Sequence, residues 1–255
     1  MTYVKYYMKY FTLLLALLCP NVWADSHALY QYTTGEYIEG HEITTQRSIA
    51  SITKLFTAIT ILNANQDLSE NITVKCKNAG HVIRGSSMSR MDLMTAMIVS
   101  SDNCAAETLA FNYPGGFDKF IQDRNEFTQR HGLTNTQLSD ATGLLETNVS
   151  TVNDLVRFTA IAYQNNVLRS ISNLPNADVV SYKNGRKTVI HLRNTNPILT
   201  THSNIVVSKT GTTAKAGKCV VMLVKKMENF YAVVILGEPN VQTRTRIAEK
   251  LLAYN

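Results

Sequence analysis

Ser51 and Lys54 stand three residues apart in the run Ile49-Ala50-Ser51-Ile52-Thr53-Lys54-Leu55-Phe56. Residues i and i+3 share one face of a helix, so the hydroxyl and the amine can point into one pocket. A serine is a weak nucleophile until a base removes its proton. A lysine becomes such a base when its surroundings lower its pKa. The partly positive start of a helix also suits an oxygen that must turn anionic. The pairing points to acyl transfer on Ser51. A chance Ser and Lys at this spacing is the competing reading, with Ser51 acting only as a helix cap.

Two later elements bear on that choice. Ser101-Asp102-Asn103 falls where an apolar helical run breaks, a place from which a hydroxyl and an amide can enter a cleft. The same pattern recurs at Ser69-Glu70-Asn71, in a polar segment that reads as a solvated loop. Lys209-Thr210-Gly211-Thr212-Thr213 contains the only Lys-Thr-Gly of the chain and ends a β-prone run. A cation and a hydroxyl on an edge strand can hold a carboxylate, and Gly211 lets backbones approach closely. Backbone N–H groups there can form half of an oxyanion hole.

The ordered set SxxK, SxN and KTG resembles the signature of penicillin-binding proteins and serine β-lactamases. More closely, the chain resembles the low-molecular-weight D-alanyl-D-alanine peptidases over nearly all of its mature length. Arg47 to Leu55 is similar to that family's nucleophile segment. Asp140-Ala141-Thr142-Gly143-Leu144 with Asn148 and Ser150-Thr151 is similar to its loop-to-helix segment. Asn194-Thr195-Asn196-Pro197 resembles the stretch before its KTG strand. Ser100 to Asn103, and Ser208 to Thr213 followed by Ala216-Gly217-Lys218-Cys219, resemble the endopeptidase branch most.

The resemblance implies that Ser51 attacks a D-alanyl carbonyl and forms an acyl-enzyme. Lys54 would be the base, kept partly neutral by the Lys209 cation. Ser101 would relay a proton to the leaving amine, and Asn103 would position substrate or Lys54. Lys209 and Thr210 would bind the carboxylate end. The N–H groups of Ser51 and Thr212 would hold the oxyanion, beside Gly211. It implies peptidoglycan peptides as substrate, β-lactams as covalent inhibitors, and no metal or organic cofactor. The short stretch after Gly211, filled by strands and one helix, favours an endopeptidase cutting the D-Ala–diaminopimelate cross-link. A D-Ala-D-Ala carboxypeptidase is the alternative, then a β-lactamase or a non-hydrolytic penicillin-binding sensor. Against the β-lactamase, Glu146-Thr147-Asn148 lacks the spacing of the class A water-activating carboxylate.

The elements that must position these residues follow from pattern. Residues 28–43 read as a β-hairpin turning at Thr33-Thr34-Gly35. The Ser51 helix is apolar on most sides as far as Leu62, so it should be buried. Helices are expected over 90–99, 104–111, 117–131 with Gly132 as its cap, and 152–165. A short strand is expected over 72–76. From about residue 178 the character turns to strand, with Asn184-Gly185 as a hairpin turn. A helix from 242 to 253 closes the chain. The expected fold is α/β of the α+β type, transpeptidase-like. Both chain ends build one antiparallel sheet, flanked by helices, with a helical block inserted.

Lys5 and Lys9 precede the apolar run 11–18, and Val22-Trp23-Ala24 offers small residues for cleavage. This describes a secretory signal peptide over 1–24, leaving a peptidase domain over 25–255 and a periplasmic protein. An uncleaved anchor and a lipid-modified Cys19 are the other readings of the same stretch; at most peripheral membrane contact is expected. The formal charge of +6 is unclustered and loses two lysines with the signal peptide, which excludes a nucleic-acid footprint. The six histidines and the cysteines have no metal-ligand spacing. Cys76, Cys104 and Cys219 allow at most one internal disulfide. Cys104 and Cys219 read as packing residues, and Asp102 and Asp154 as structural acids.

Overall fold

Period-two alternation in the last two strands places the core on both faces of a sheet. In β10 (Gly217–Lys226), Cys219, Val221 and Leu223 face one cluster of buried side chains, while Val220, Met222 and Val224 face another. In β11 (Asn229–Glu238), Ala232, Val234 and Leu236 join the first cluster, and Val233 and Ile235 the second. Strands apolar on both faces must be covered on both. The computed structural model describes residues 25–254. The expected signal segment lies outside them.

β1 (Ser26–Gln31) and β2 (Glu36–His41) form the expected first hairpin. With β9 (Ile205–Thr213) they complete an antiparallel sheet in the order β2-β1-β11-β10-β9. Both chain ends therefore build it, and β9, which carries Lys209 to Thr212, is an edge strand. The closing helix α7 (Val241–Leu252) covers one face through Ala248, Leu251 and Leu252.

The helical block covers the other face. α1 (Thr53–Asn63) is buried along every residue from Thr53 to Ile61, as its all-round apolar sequence requires. α2 (Arg90–Val99) starts on a Ser89 cap, and α3 (Asn103–Phe111) on an Asp102 cap. α4 (Gly116–Arg130) ends before Gly132, whose φ of 67° suits a residue without Cβ. α5 (Val152–Gln164) starts on Thr151 and stacks Phe158 on Phe56 of α1. A short α6 (Asn166–Ile171) follows it.

Two small strands, β3 (Arg47–Ser48) and β6 (Val149–Ser150), pair with each other and join the start of α1 to the loop before α5. β4 (Asn71–Thr73) and β5 (Ser87–Ser89) continue into β7 (Asn176–Lys183) and β8 (Arg186–Arg193) as a separate four-stranded sheet. The Asn184-Gly185 hairpin is present, but it belongs to this second sheet. No helix among the described residues is long and apolar enough to cross a membrane.

Candidate active site

Ser51 sits in a 3₁₀ turn, Ala50–Ile52, that runs straight into α1. Ala50 has φ of 46°, a left-handed conformation that costs about 1–2 kcal/mol for a residue with a side chain. That turn places Ser51 beside Lys54, whose Nζ lies within hydrogen-bond reach of Ser51 Oγ at 2.8 Å. Nζ also reaches Asn103 Oδ1 at 2.8 Å and the Thr142 carbonyl at 2.7 Å. Helix α1, the start of α3 and the loop before β6 thus meet on one amine.

The amine is fully buried. Burial pushes its pKa down to about 7, against the opposing pull of Asp140, Asp102 and Glu107. The cause differs from the sequence expectation, in which the Lys209 cation held Lys54 neutral. Lys209 is itself 1% exposed and is pushed well below its usual range, first by burial and then by Lys54 and Arg244. The neutral form of Lys54 fits its partners. A neutral amine has two N–H bonds and one lone pair. The Thr142 carbonyl and the Asn103 carbonyl oxygen can only accept, so they take the two N–H bonds. The lone pair then faces the Ser51 hydroxyl.

Asp140 shapes the loop that supplies Thr142. Its carboxylate accepts from the backbone N–H groups of Thr142, Gly143 and Leu145. Arg124, fully buried, donates to the Asp140 carbonyl, and burial pushes its pKa down to about 9. Thr57 on α1 donates to the Ala141 carbonyl at 2.8 Å. Gly143 has φ of 84°, and a Cβ there would lie 1.9 Å from the Ala50 carbonyl oxygen and 2.9 Å from Ser51 N. Gly143→Ala should therefore lose at least ~2 kcal/mol of stability, since both the backbone angle and the contact are refused. A lower melting temperature together with weaker penicillin labelling is the expected result. Wild-type behaviour in both would show that the loop is free to move away from Ser51.

Ser101 has φ of 60° at the break between α2 and α3, a strained placement of the kind found at functional sites. Asp102 is 2% exposed and is a structural acid, as the sequence suggested. It caps α3 through Ala105 N at 2.8 Å and accepts from the N–H groups of His81 and Val82. Glu107 accepts from Lys77 N and Asn78 N. Cys76 and Cys104 form a disulfide, so Cys104 is not merely a packing residue. Segment 74–86 is thereby strapped across the start of α3, fixing Ser101 and Asn103 from behind. Asp154 is structural too, binding Asn135 N and the Thr136 hydroxyl.

On β9, the Thr210 hydroxyl shares a hydrogen bond with Thr195, and Lys209 Nζ donates to the Thr210 carbonyl at 3.0 Å. A Cβ on Gly211 would lie 2.5 Å from the Ile49 carbonyl oxygen and 3.1 Å from Ser51 N. Gly211 and Gly143 therefore flank the Ser51 N–H from two sides. Thr212, the next residue, is exposed at the strand edge. The structure joins Ser51, Lys54 and Asn103 directly and brings Gly211 against Ser51. Ser101 is held two residues from Asn103, with no hydrogen bond from its own hydroxyl to another described residue. Ser69, from the competing pattern, is bonded to Asp67 on the surface. Thr142 and Asp140 escaped the sequence reading as site residues, because Thr142 acts through its carbonyl. The turn-forming Asp-Ala-Thr-Gly run was the available signal. Among the described residues no three His, Cys, Asp or Glu side chains gather as a metal site would need.

A helical block against an antiparallel sheet, with a half-buried Ser51 on a buried Lys54 between them, defines a serine acyl-transfer enzyme fold. Residues 16–240 match the model of the D-alanyl-D-alanine carboxypeptidase family, and the chain belongs to that family. It is 33% identical to a D-alanyl-D-alanine endopeptidase of Escherichia coli, over 80% of this chain and 67% of that protein. It is 36% identical to a D-alanyl-D-alanine endopeptidase of Pseudomonas aeruginosa, over 68% of this chain and 58% of that one. Among solved structures, a DD-transpeptidase mutant from Streptomyces K15 superposes with a TM-score of 0.83 at 25% identity, covering 91% of this chain and 97% of that one. Penicillin-binding protein D2 of Listeria monocytogenes, solved with ampicillin bound, gives a TM-score of 0.79 at 24% identity, covering 90% and 96%.

Proposed function

We propose that the protein is a periplasmic serine endopeptidase that hydrolyses the D-Ala–diaminopimelate cross-link of peptidoglycan through an acyl-enzyme on Ser51. The observation that carries this reading is the Lys54 amine, buried, pushed down to about 7, and bonded to Ser51, Asn103 and Thr142. Lys54 takes the Ser51 proton as the serine oxygen bonds to the D-alanyl carbonyl. The carbonyl oxygen becomes an anion between the N–H groups of Ser51 and Thr212. The C–N bond then breaks, and the proton passes from Lys54 through the Ser101 hydroxyl to the leaving amine. Asn103 holds Lys54, and Lys209 and Thr210 receive the carboxylate of the leaving residue. Water cleaves the ester and restores Ser51. β-Lactams enter the same path and leave slowly. The basic and apolar N-terminal stretch supports export, with cleavage after Ala24.

The endopeptidase relatives favour the cross-link over the terminal D-Ala. Digestion of cross-linked muropeptides, followed by chromatography and mass spectrometry, tests the choice. Conversion of dimers to monomers is expected. Release of free D-Ala from uncut dimers would instead make the enzyme a carboxypeptidase.

A further inference from the structure

Positive charge is dispersed along the sequence, but the fold gathers it on the smaller sheet. Residues 71–89 and 176–193, which supply β4, β5, β7 and β8, carry seven Lys or Arg and one acid, Asp178. The rest of 25–255 carries sixteen Lys or Arg against eighteen acids. The whole positive excess therefore sits on this sheet. All seven cations are exposed, and none makes an ion pair with another described residue. At the hairpin end they are held together through backbone. Lys183 Nζ donates to the Arg84 carbonyl at 3.0 Å, and Arg84 donates to the Lys77 carbonyl at 3.0 Å. Lys183 also lies opposite Arg186 across the Asn184-Gly185 turn. The acids beneath segment 74–86, Asp102 and Glu107, are buried and already taken by backbone N–H groups. Like charges held side by side repel, and an anionic partner relieves them.

The two faces of the β7–β8 hairpin differ. Val179 and Leu192 belong to the first core cluster, and Ala177 and Ile190 pack against it. The opposite face pairs Val180 with Val189 and Tyr182 with Lys187. Val189 is 45% exposed and Tyr182 43%, and neither they nor Val180 join a core cluster. Arg193 ends the same row of β8, while Asp178 is spent on His191 at 2.7 Å. This outer face is thus an apolar strip with cations at both ends.

That pattern matches the surface of a bilayer, where apolar and aromatic side chains enter the headgroup boundary and Lys and Arg meet phosphate. An anionic polymer would engage the cations but leave Val180, Val189 and Tyr182 wet. We propose that the outer face of the β7–β8 hairpin docks the protein on a phospholipid bilayer rich in anionic headgroups. None of the site residues lies on this hairpin, so docking can be broken without touching catalysis. The assignment goes beyond the Ser51 chemistry and does not rest on it.

Flotation of the processed protein, residues 25–255, with lipid vesicles tests it. One vesicle set is phosphatidylcholine alone, and the other contains about 30% phosphatidylglycerol. Partition onto the anionic set should be at least ~10-fold stronger and should be lost in about 0.5 M salt, which screens surface charge. Arg186→Glu with Lys187→Glu should cut it at least ~10-fold and Val189→Asn ~3-fold, with penicillin labelling of Ser51 unchanged. Equal partition onto both vesicle sets, or a double variant that floats as the wild type does, would overturn the proposal. So would pelleting with isolated peptidoglycan, lost in the double variant, without flotation; the face would then hold the polymer. A wild type that floats but takes no penicillin would refute the Ser51 reading and leave this one standing.

Discussion

Lys54→Met should lower the rate of Ser51 acylation by benzylpenicillin about 10³-fold, within the range for losing a positioned general base. Methionine keeps the buried volume but has no lone pair able to take the hydroxyl proton. The wild-type rate should rise with pH through about 7 and then level, because only the neutral amine can accept the proton. Below that point Lys54 is an ammonium that donates to Ser51 Oγ and holds it inactive. The variant should lose this limb altogether. Stability should respond in the same sense. Between about 7 and its ordinary 10.5 the lysine is neutral when folded and charged when unfolded, so its contribution to stability rises with pH across that window. A wild-type rate that is flat through pH 6 to 8, or a variant that keeps the limb, would remove Lys54 from the role of base. Titration against a fluorescent penicillin reads both.

Lys209→Met should reduce kcat/KM on a D-alanyl peptide by about 10²-fold, the loss of one charge-assisted carboxylate contact and the alignment it gives. Lys209 lies 1% exposed with only the Thr210 carbonyl as partner, so its ammonium is poorly supported until an anion arrives. On the proposed function, the substrate carboxylate would supply that anion. The ascending limb of the pH profile should nevertheless stay centred near 7, because burial is the first cause of the low Lys54 value. A limb displaced upward by a full pH unit would restore the idea that the Lys209 charge governs Lys54. A pH profile with the variant beside the wild type separates the two.

Much of the site was legible because its parts are side chains in fixed local settings. The Ser51 helix announced its burial by apolar residues on most sides, and Lys54 is the one charged residue in that run. The Ser101 break and the Lys209 strand were legible as punctuation between apolar runs. What the sequence lacked was partner choice. The strand-like runs on either side of Asn184-Gly185 identified a hairpin, but nothing in them told that β7 would extend the β4–β5 pair rather than the main sheet. Cys104 sits in an apolar helical run, where a thiol reads as filler; its disulfide with Cys76 spans 28 residues, and only the path of segment 74–86 brings the two together. Glu107 in the same run was the neglected sign, since a buried carboxylate needs donors, and Lys77 N and Asn78 N supply them. The carbonyl of Thr142 could not be read from residue types, because every residue has one.

The central claim is that Ser51 becomes covalently acylated with Lys54 as its base. Incubation with benzylpenicillin, followed by intact mass and peptide mapping, tests it most directly. One penicilloyl group should be found, on the peptide containing Ser51, and Ser51→Ala should carry none and cut no muropeptide. An adduct on another residue, or muropeptide cleavage that survives Ser51→Ala, would contradict the account.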